Sequence, residues 1–183
     1  MELTGSKLRL SKVTADDLDF ICRLESDREF WAYEESVEQD VQVIRENYTS
    51  KIADDSSHEL YFIVYKSEDS TNTPIGIAHI WSYVDYRNSW EIGYGILPEH
   101  AGQGYGSEAG RMLLRLAFDK LEAHKVVAMC NCNNLASTRL MERIGMRREG
   151  IFKEELCMDG QWVDQYFYAI LEREYRGQLN AEA

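Results

Sequence analysis

The reading of one stretch decides the fold: Glu91-Ile92-Gly93-Tyr94-Gly95-Ile96-Leu97-Pro98-Glu99-His100-Ala101-Gly102-Gln103-Gly104-Tyr105-Gly106-Ser107-Glu108-Ala109. It opens as a strand and passes through glycines at alternate positions, after which Met112, Leu113, Leu116, Ala117 and Leu121 recur at the helical period. Strand, glycine-rich loop and helix start together make an anion-binding arrangement. Glycines let the backbone approach a ligand and turn its N–H groups inward, and the positive end of the helix dipole favours phosphate. A diphosphate suits such a loop. Gly104-x-Gly106-x-x-Ala109 also satisfies the dinucleotide fingerprint. In that unit, however, the first glycine ends the strand directly, whereas Pro98-Glu99-His100-Ala101 intervenes here, and further strands and helices come first.

Upstream, Lys7 to Val13 alternates like a strand, and Thr14-Ala15-Asp16-Asp17 reads as a helix N-cap with an acidic first turn. Leu18, Ile21, Cys22 and Leu24 fit one helix, and Val37, Val41, Ile44, Tyr48 and Ile52 fit a second. A turn at 54–57 leads to strands over 60–65, 74–81 and 90–97, the first two joined by a hairpin loop at 67–73, so an antiparallel meander is expected. Downstream come a strand at 126–130, a short helix from Ala136 to Ile144 closed by Gly145, and strands over 150–156 and 162–171 about the turn Met158-Asp159-Gly160-Gln161. No repeat or linker divides the 183 residues, so one domain over 1–183 is expected.

Composition excludes several classes. With 32 acidic against 20 basic residues and a formal charge of −12, the chain has the wrong sign to neutralise nucleic acid or an anionic membrane. Cys22, Cys130, Cys132 and Cys157 have no CxxC spacing, and the histidines form no HExxH, so no metal is expected and a reduced, cytoplasmic setting is. The surplus acidity lies mainly ahead of residue 91, with Glu34, Glu35, Glu38 and Asp40 following Trp31.

The glycine loop, Asn134-Leu135-Ala136-Ser137 after the next strand, and Glu142-Arg143-Ile144-Gly145-Met146 followed by Glu149-Gly150 resemble the GNAT superfamily of acetyl-coenzyme A-dependent N-acetyltransferases. The likeness is nearest to the branch of ribosomal-protein N-terminal acetyltransferases, with spermidine acetyltransferases slightly further off. It runs from Leu8-Arg9-Leu10 to the last strand and implies an α/β fold: a single domain with a mixed, mostly antiparallel twisted sheet flanked by helices and splayed where the coenzyme enters. The implied co-substrate is acetyl-CoA, held by the backbone of Ile96, Leu97, Gln103, Gly104, Tyr105, Gly106 and Ser107 and by Asn134 along the pantetheine arm.

The implied reaction is direct attack of a primary amine on the thioester in a ternary complex. An α-amine with a pKa near ~8, or a lysine-like amine near ~10, must first lose a proton, and Glu91 is the expected base. The alternative for Glu91 is an ordinary strand-surface glutamate. Ser137 is the candidate acid for the departing thiolate, because Met141 stands where many relatives keep a tyrosine; a helix cap is its other reading. Ala101 stands where the family's loop has Gln or Arg, which removes a phosphate-binding side chain. Trp31, Glu34 and Glu35 fall in the implied acceptor segment, where aromatics beside carboxylates suit a cation. Arg139, Arg143, Arg147, Arg148 and Lys153 could meet the ribose phosphate or form a solvated face. The expected partners are acetyl-CoA and an amine, either a protein N-terminus or a polyamine-like molecule, with homodimer formation left open and neither nucleic acid nor membrane. The rival functions are a non-catalytic acyl-CoA sensor and a nucleotide-dependent oxidoreductase.

Overall fold

A computed structural model describes residues 1–54 and 58–182, so most of the turn expected at 54–57 lies outside the described residues. In chain order the elements are β1 (Glu2–Thr4), β2 (Leu8–Lys12), α1 (Leu18–Glu25), α2 (Val41–Ala53), β3 (Glu59–Lys66), β4 (Pro74–Val84) and β5 (Ser89–Ile96). They continue with α3 (Tyr105–Asp119), β6 (Lys125–Asn131), α4 (Leu135–Arg143), β7 (Arg147–Met158), β8 (Gln161–Leu171) and α5 (Glu172–Glu182). Among the described residues the strands form one eight-stranded sheet in the order β1-β2-β3-β4-β5-β6-β8-β7, antiparallel except where β5 meets β6. A parallel pair needs a crossover, and α3 supplies it.

Strand alternation sorts the side chains onto two faces. Leu60, Phe62 and Val64 of β3 pack with Leu8, Leu10, Ile80, Ile92 and the buried side of α3, where Leu113, Leu116 and Ala117 lie. Ile63 packs with Ile77 and with Ile21, Leu24, Ile44 and Tyr48 of α1 and α2 on the opposite face. Helices therefore cover both faces: α3 and α4 on one, α1 and α2 on the other. No helix among the described residues is long and apolar enough to cross a membrane.

Several boundaries differ from those expected. The second helix begins at Val41 rather than Val37, because the Asp40 carboxylate accepts hydrogen bonds from the backbone N–H groups of Gln42 (2.8 Å) and Val43 (3.4 Å) and so fixes the N-cap. Strand β1 is too short to show a period and is defined by its pairing, with Leu3 opposite Leu10. The C-terminal helix α5 is mostly polar, and its Tyr175 is buried and stacks on Phe118 at 4.8 Å between ring centroids. Asp159 and Gly160 have φ of 49° and 80°, the left-handed pair of a type I′ hairpin, as Asp-Gly predicts.

The β4–β5 pair contains a tight fit next to the sheet opening. A Cβ on Gly93 would lie 1.9 Å from Nε2 of His79, whose ring sits 4.7 Å from Trp81 and 5.8 Å from Tyr61, centroid to centroid. We expect Gly93→Ala to cost about 1–3 kcal/mol by overpacking, read as a lower urea midpoint at unchanged m-value. A midpoint equal to wild type would show that His79 repacks freely.

Candidate active site

Pairing between β5 and β6 runs from Ser89↔Lys125 to Glu91↔Val127, while β5 continues to Ile96 and β6 to Asn131. Beyond Glu91 the two strands part, and a cleft of about 1090 Å³ opens between them. Along this segment every second N–H and C=O of β5 is turned toward the gap rather than into a ladder. Glu91, Gly93 and Gly95 share the face covered by α1 and α2: a Cβ on Gly95 would meet Phe30 at 2.5 Å and Trp31 at 3.2 Å. Ile92, Tyr94 and Ile96 point to the opposite face and pack with the α3 side of the core. The opening is thus reached from both sides of the sheet.

On the α3 side lies the glycine loop. Gly102 and Gly104 have φ of +76° and +85°, a conformation that side chains disfavour, and Gly104 is the N-cap position of α3. Lys7, just before β2, brings its ammonium to 3.4 Å from the Gln103 carbonyl. A trans peptide directs its C=O and N–H oppositely, so this bond turns the Gly104 N–H away from Lys7. Gly104 lines the cleft together with Tyr105, Gly106 and Ser107, whereas Gln103 does not line it. The strand ends are clamped here as well: Glu108 accepts hydrogen bonds from the Ser6 hydroxyl (3.2 Å) and the Lys7 backbone N–H (2.7 Å). A Cβ on Gly106 would meet Leu140 at 2.7 Å, so that glycine serves the close approach of α4 rather than leaving space for a ligand.

Asn134 caps α4, its Oδ1 accepting from the Ser137 backbone N–H at 3.0 Å, which leaves Nδ2 free to donate into the cleft. Ser137 is therefore capped rather than capping, and its hydroxyl lies 3.1 Å from the Tyr94 hydroxyl. Met141 is 2% exposed and carries no transferable proton. Of the basic residues, Arg139 and Arg143 line the cleft, while Arg147 pairs with Glu149 and Glu174, Lys153 with Asp164, and Arg148 lies over Tyr166.

The α1–α2 side is acidic and aromatic. Burial raises the Glu91 carboxyl to about 7; a hydrogen bond from Trp81, its cross-strand neighbour, opposes the shift and the charge of Glu34 adds to it. Glu34 is open to solvent along the cleft, yet the protein around it also raises its carboxyl. Behind them Glu25 accepts from Tyr48 (2.9 Å), and Lys51 donates to Tyr61 (2.8 Å) while lying over the Tyr48 and Tyr61 rings. Burial lowers the pKa of this lysine. His79 is held near 3 by burial, with Lys51 adding to the effect, so its ring is neutral. Among the described residues the buried Trp31 Nε1 and His79 Nδ1 have no hydrogen-bond partner.

Two of the expected acceptor carboxylates are used structurally. Glu35 does not line the cleft: it accepts from the Cys157 backbone N–H at 2.8 Å and ties the α1–α2 loop to β7. Asp40 caps α2. Leu97 also lies off the cleft, packing in the α1–α2 core, whereas Ile96 lines it. Asn131, which had no sequence signal, is 4% exposed and holds the same loop, donating to the Tyr33 carbonyl at 3.4 Å and accepting from the Asn133 N–H at 2.9 Å.

A model of the acetyltransferase (GNAT) domain matches residues 7–147. The N-acetyltransferase YnaD of Bacillus subtilis (strain 168) is 36% identical over 118 residues, 64% of this chain and 66% of that protein, just under two thirds of its length. The [ribosomal protein uS5]-alanine N-acetyltransferase of Escherichia coli (strain K12) is 31% identical over 99 residues, 52% of this chain and 50% of that one. The crystal structure of spermidine N-acetyltransferase from Vibrio cholerae in complex with CoA and spermine matches at a TM-score of 0.84 and 26% identity, over 94% of this chain and 99% of that one. The chain belongs to the GNAT acetyltransferase family and is an acetyl-CoA-dependent N-acetyltransferase. The open edge of β5, the left-handed glycines and the free amide of Asn134 fit a diphosphate followed by an amide-bearing arm.

The Glu34–Glu91 pair has a measurable consequence. With Glu91 as the base, a carboxyl raised to about 7 would give kcat/KM an acid limb near that pH, since only the carboxylate accepts a proton. Glu34→Gln removes a like charge and should move the limb to lower pH, and Trp81→Phe removes a bond to the carboxylate and should move it higher. Limbs that coincide in all three proteins would dissociate Glu91 from the titration.

Proposed function

We propose that the enzyme acetylates a cationic primary amine that enters from the α1–α2 side, with Glu91 as its base and Trp31 and Glu34 in the acceptor wall. The observation that carries the reading is the position of Glu91. It is the last β5 residue paired with β6, on the face opposite α3, with its carboxyl at about 7. At neutral pH a substantial fraction is ionised and can take the proton that an ammonium must lose, directly or through one water. The coenzyme, when bound, supplies an acyl thioester. Backbone N–H groups of Gly104 through Ser107 hold its diphosphate, Lys7 keeps the Gly104 N–H turned inward, and Asn134 meets its arm.

Glu25, Glu34 and Glu91 give the acceptor wall negative charge, and Trp31, Tyr48, Tyr61 and Trp81 give it aromatic faces, an environment suited to a cation. Lys51 limits that field at its inner end, which favours a single charged amine near Glu34 and Glu91 over charge distributed along the whole wall. The relatives named above include an enzyme for a protein N-terminal alanine and one for spermidine, both cationic amines.

Thiol release with an amine panel tests the reading. Glu91→Gln should lower kcat by roughly 10²-fold or more with acetyl-CoA affinity unchanged, whereas Gly104→Val, strained at φ +85°, should lose the coenzyme. Raising salt should raise KM for the cationic amine and leave kcat nearly constant. Coenzyme binding without thiol release from any amine would make the protein a sensor.

A further inference from the structure

We propose that Tyr94 is a positioning residue for the leaving group: its phenol orients the Ser137 hydroxyl so that Ser137 donates a hydrogen bond to the sulfur as coenzyme A departs. The inference rests on the reading above, in which the coenzyme occupies the α3 side of the opening. Glu91 and Tyr94 lie on opposite faces of β5, so base and hydroxyl pair stand on opposite sides of the gap. Amine entering from the Glu91 side leaves the sulfur on the other side, where Ser137 and Tyr94 both line the cleft.

The two hydroxyl oxygens are 3.1 Å apart and partly buried. Phenol is the better donor of the two, and a serine hydroxyl has one proton and two lone pairs. With Tyr94 donating to Ser137 Oγ, the serine's own proton is free to point elsewhere. Burial raises the Tyr94 pKa, so its proton stays in place throughout the neutral range. Cys130 stands beside the pair, its thiol raised by burial, bonded at 3.8 Å to Thr138 and also within hydrogen-bond reach of Ser137, so it adds no charge there but is a second neighbour of the serine hydroxyl. The arrangement places a phenol from β5 at the serine on α4, although α4 itself carries Met141.

Protons and electrons balance without an enzyme-bound intermediate. Glu91 removes one proton from the ammonium, and the nitrogen lone pair forms the C–N bond. The C–S bond breaks with its electron pair on sulfur. Ser137 holds that charge by hydrogen bonding, and the second nitrogen proton, released as the amide forms, reaches the thiolate through water. A thiolate whose conjugate acid has a pKa of about 8.5 needs no stronger acid.

A double-mutant cycle on the full chain tests this. Tyr94→Phe should lower kcat by about tenfold, the effect of one hydrogen bond to a charged group, with acetyl-CoA Kd and the Glu91 acid limb unchanged. In a Ser137→Ala background the same change should have no further effect, and Ser137→Thr, which keeps the hydroxyl, should retain most of the activity. Wild-type kcat in Tyr94→Phe, losses that multiply in the double variant, or a loss seen in Kd instead of kcat would each overturn the proposal. If Tyr94→Phe does not fold, equal kcat in Ser137→Ala and wild type overturns it, and a tenfold loss in Ser137→Ala with rescue by Ser137→Thr supports it. Wild type that binds acetyl-CoA but transfers to no amine would instead remove the reading on which it rests.

Discussion

The parting of β5 from β6 after Glu91↔Val127 is the constraint on which the rest of the molecule depends. A continuous sheet separates its two faces, since every main-chain polar group is tied to a neighbour. Here the ladder lapses while each strand remains held on its other edge, β5 by β4 and β6 by β8, so the gap does not destabilise either strand. The exposed backbone of β5 then becomes a hydrogen-bonding edge for a ligand. The left-handed glycines that follow turn the chain from this edge into α3, so edge and anion site come from one continuous segment.

Two chemically different compartments meet at the gap. On the α3 side the positive elements are main-chain N–H groups, a helix terminus and the guanidinium groups of Arg139 and Arg143, with the neutral hydroxyls of Tyr94 and Ser137 nearby. On the α1–α2 side carboxylates lie amid aromatic rings, and the protein around them raises both Glu91 and Glu34. Such a carboxylate is a better base than an exposed one because its conjugate acid is weaker, while still ionising at working pH. Asn131 and Glu35 fasten the α1–α2 loop to β6 and β7, so this wall of the cleft is attached to the far bank of the gap as well as to its own helices.

Much of this was legible in the sequence. Alternation and helical period identified the meander and the helix after the glycine loop, because local pattern and tertiary burial agree there. The glycines were legible through the strand-loop-helix motif, whereas Glu91, Asn134 and Ser137 were named through the family resemblance; all of these residues lie along the cleft, and Gln103 of the loop does not. What was missed depends on approach between distant segments: Lys7 is 96 residues from the carbonyl it holds, Asn131 is 98 from Tyr33, and Glu35 is 122 from Cys157. The acidic run after Trp31 read as one cluster, whereas backbone geometry assigns Asp40 to a helix cap and Glu35 to a tether. The Tyr94 hydroxyl carried no sequence signal, because its partner lies on a helix 43 residues away.

The irregularity between Ser82 and Val84 in the β4–β5 register acquires a meaning beyond local geometry. It lies just before the hairpin that sets Glu91 opposite Trp81 and Gly93 opposite His79. Strand side chains alternate, so a shift of a single residue in how β5 lies on β4 would exchange its faces. The Glu91 carboxylate would then point to the α3 side, the Tyr94 phenol to the α1–α2 side, and Gly93 and Gly95 would leave holes beneath α3. Insertions and deletions in this hairpin are therefore constrained by chemistry as well as by stability. A change of even length in the register preserves the sides on which the Glu91 carboxylate and the Tyr94 hydroxyl stand, and one of odd length inverts them unless a second irregularity restores the parity.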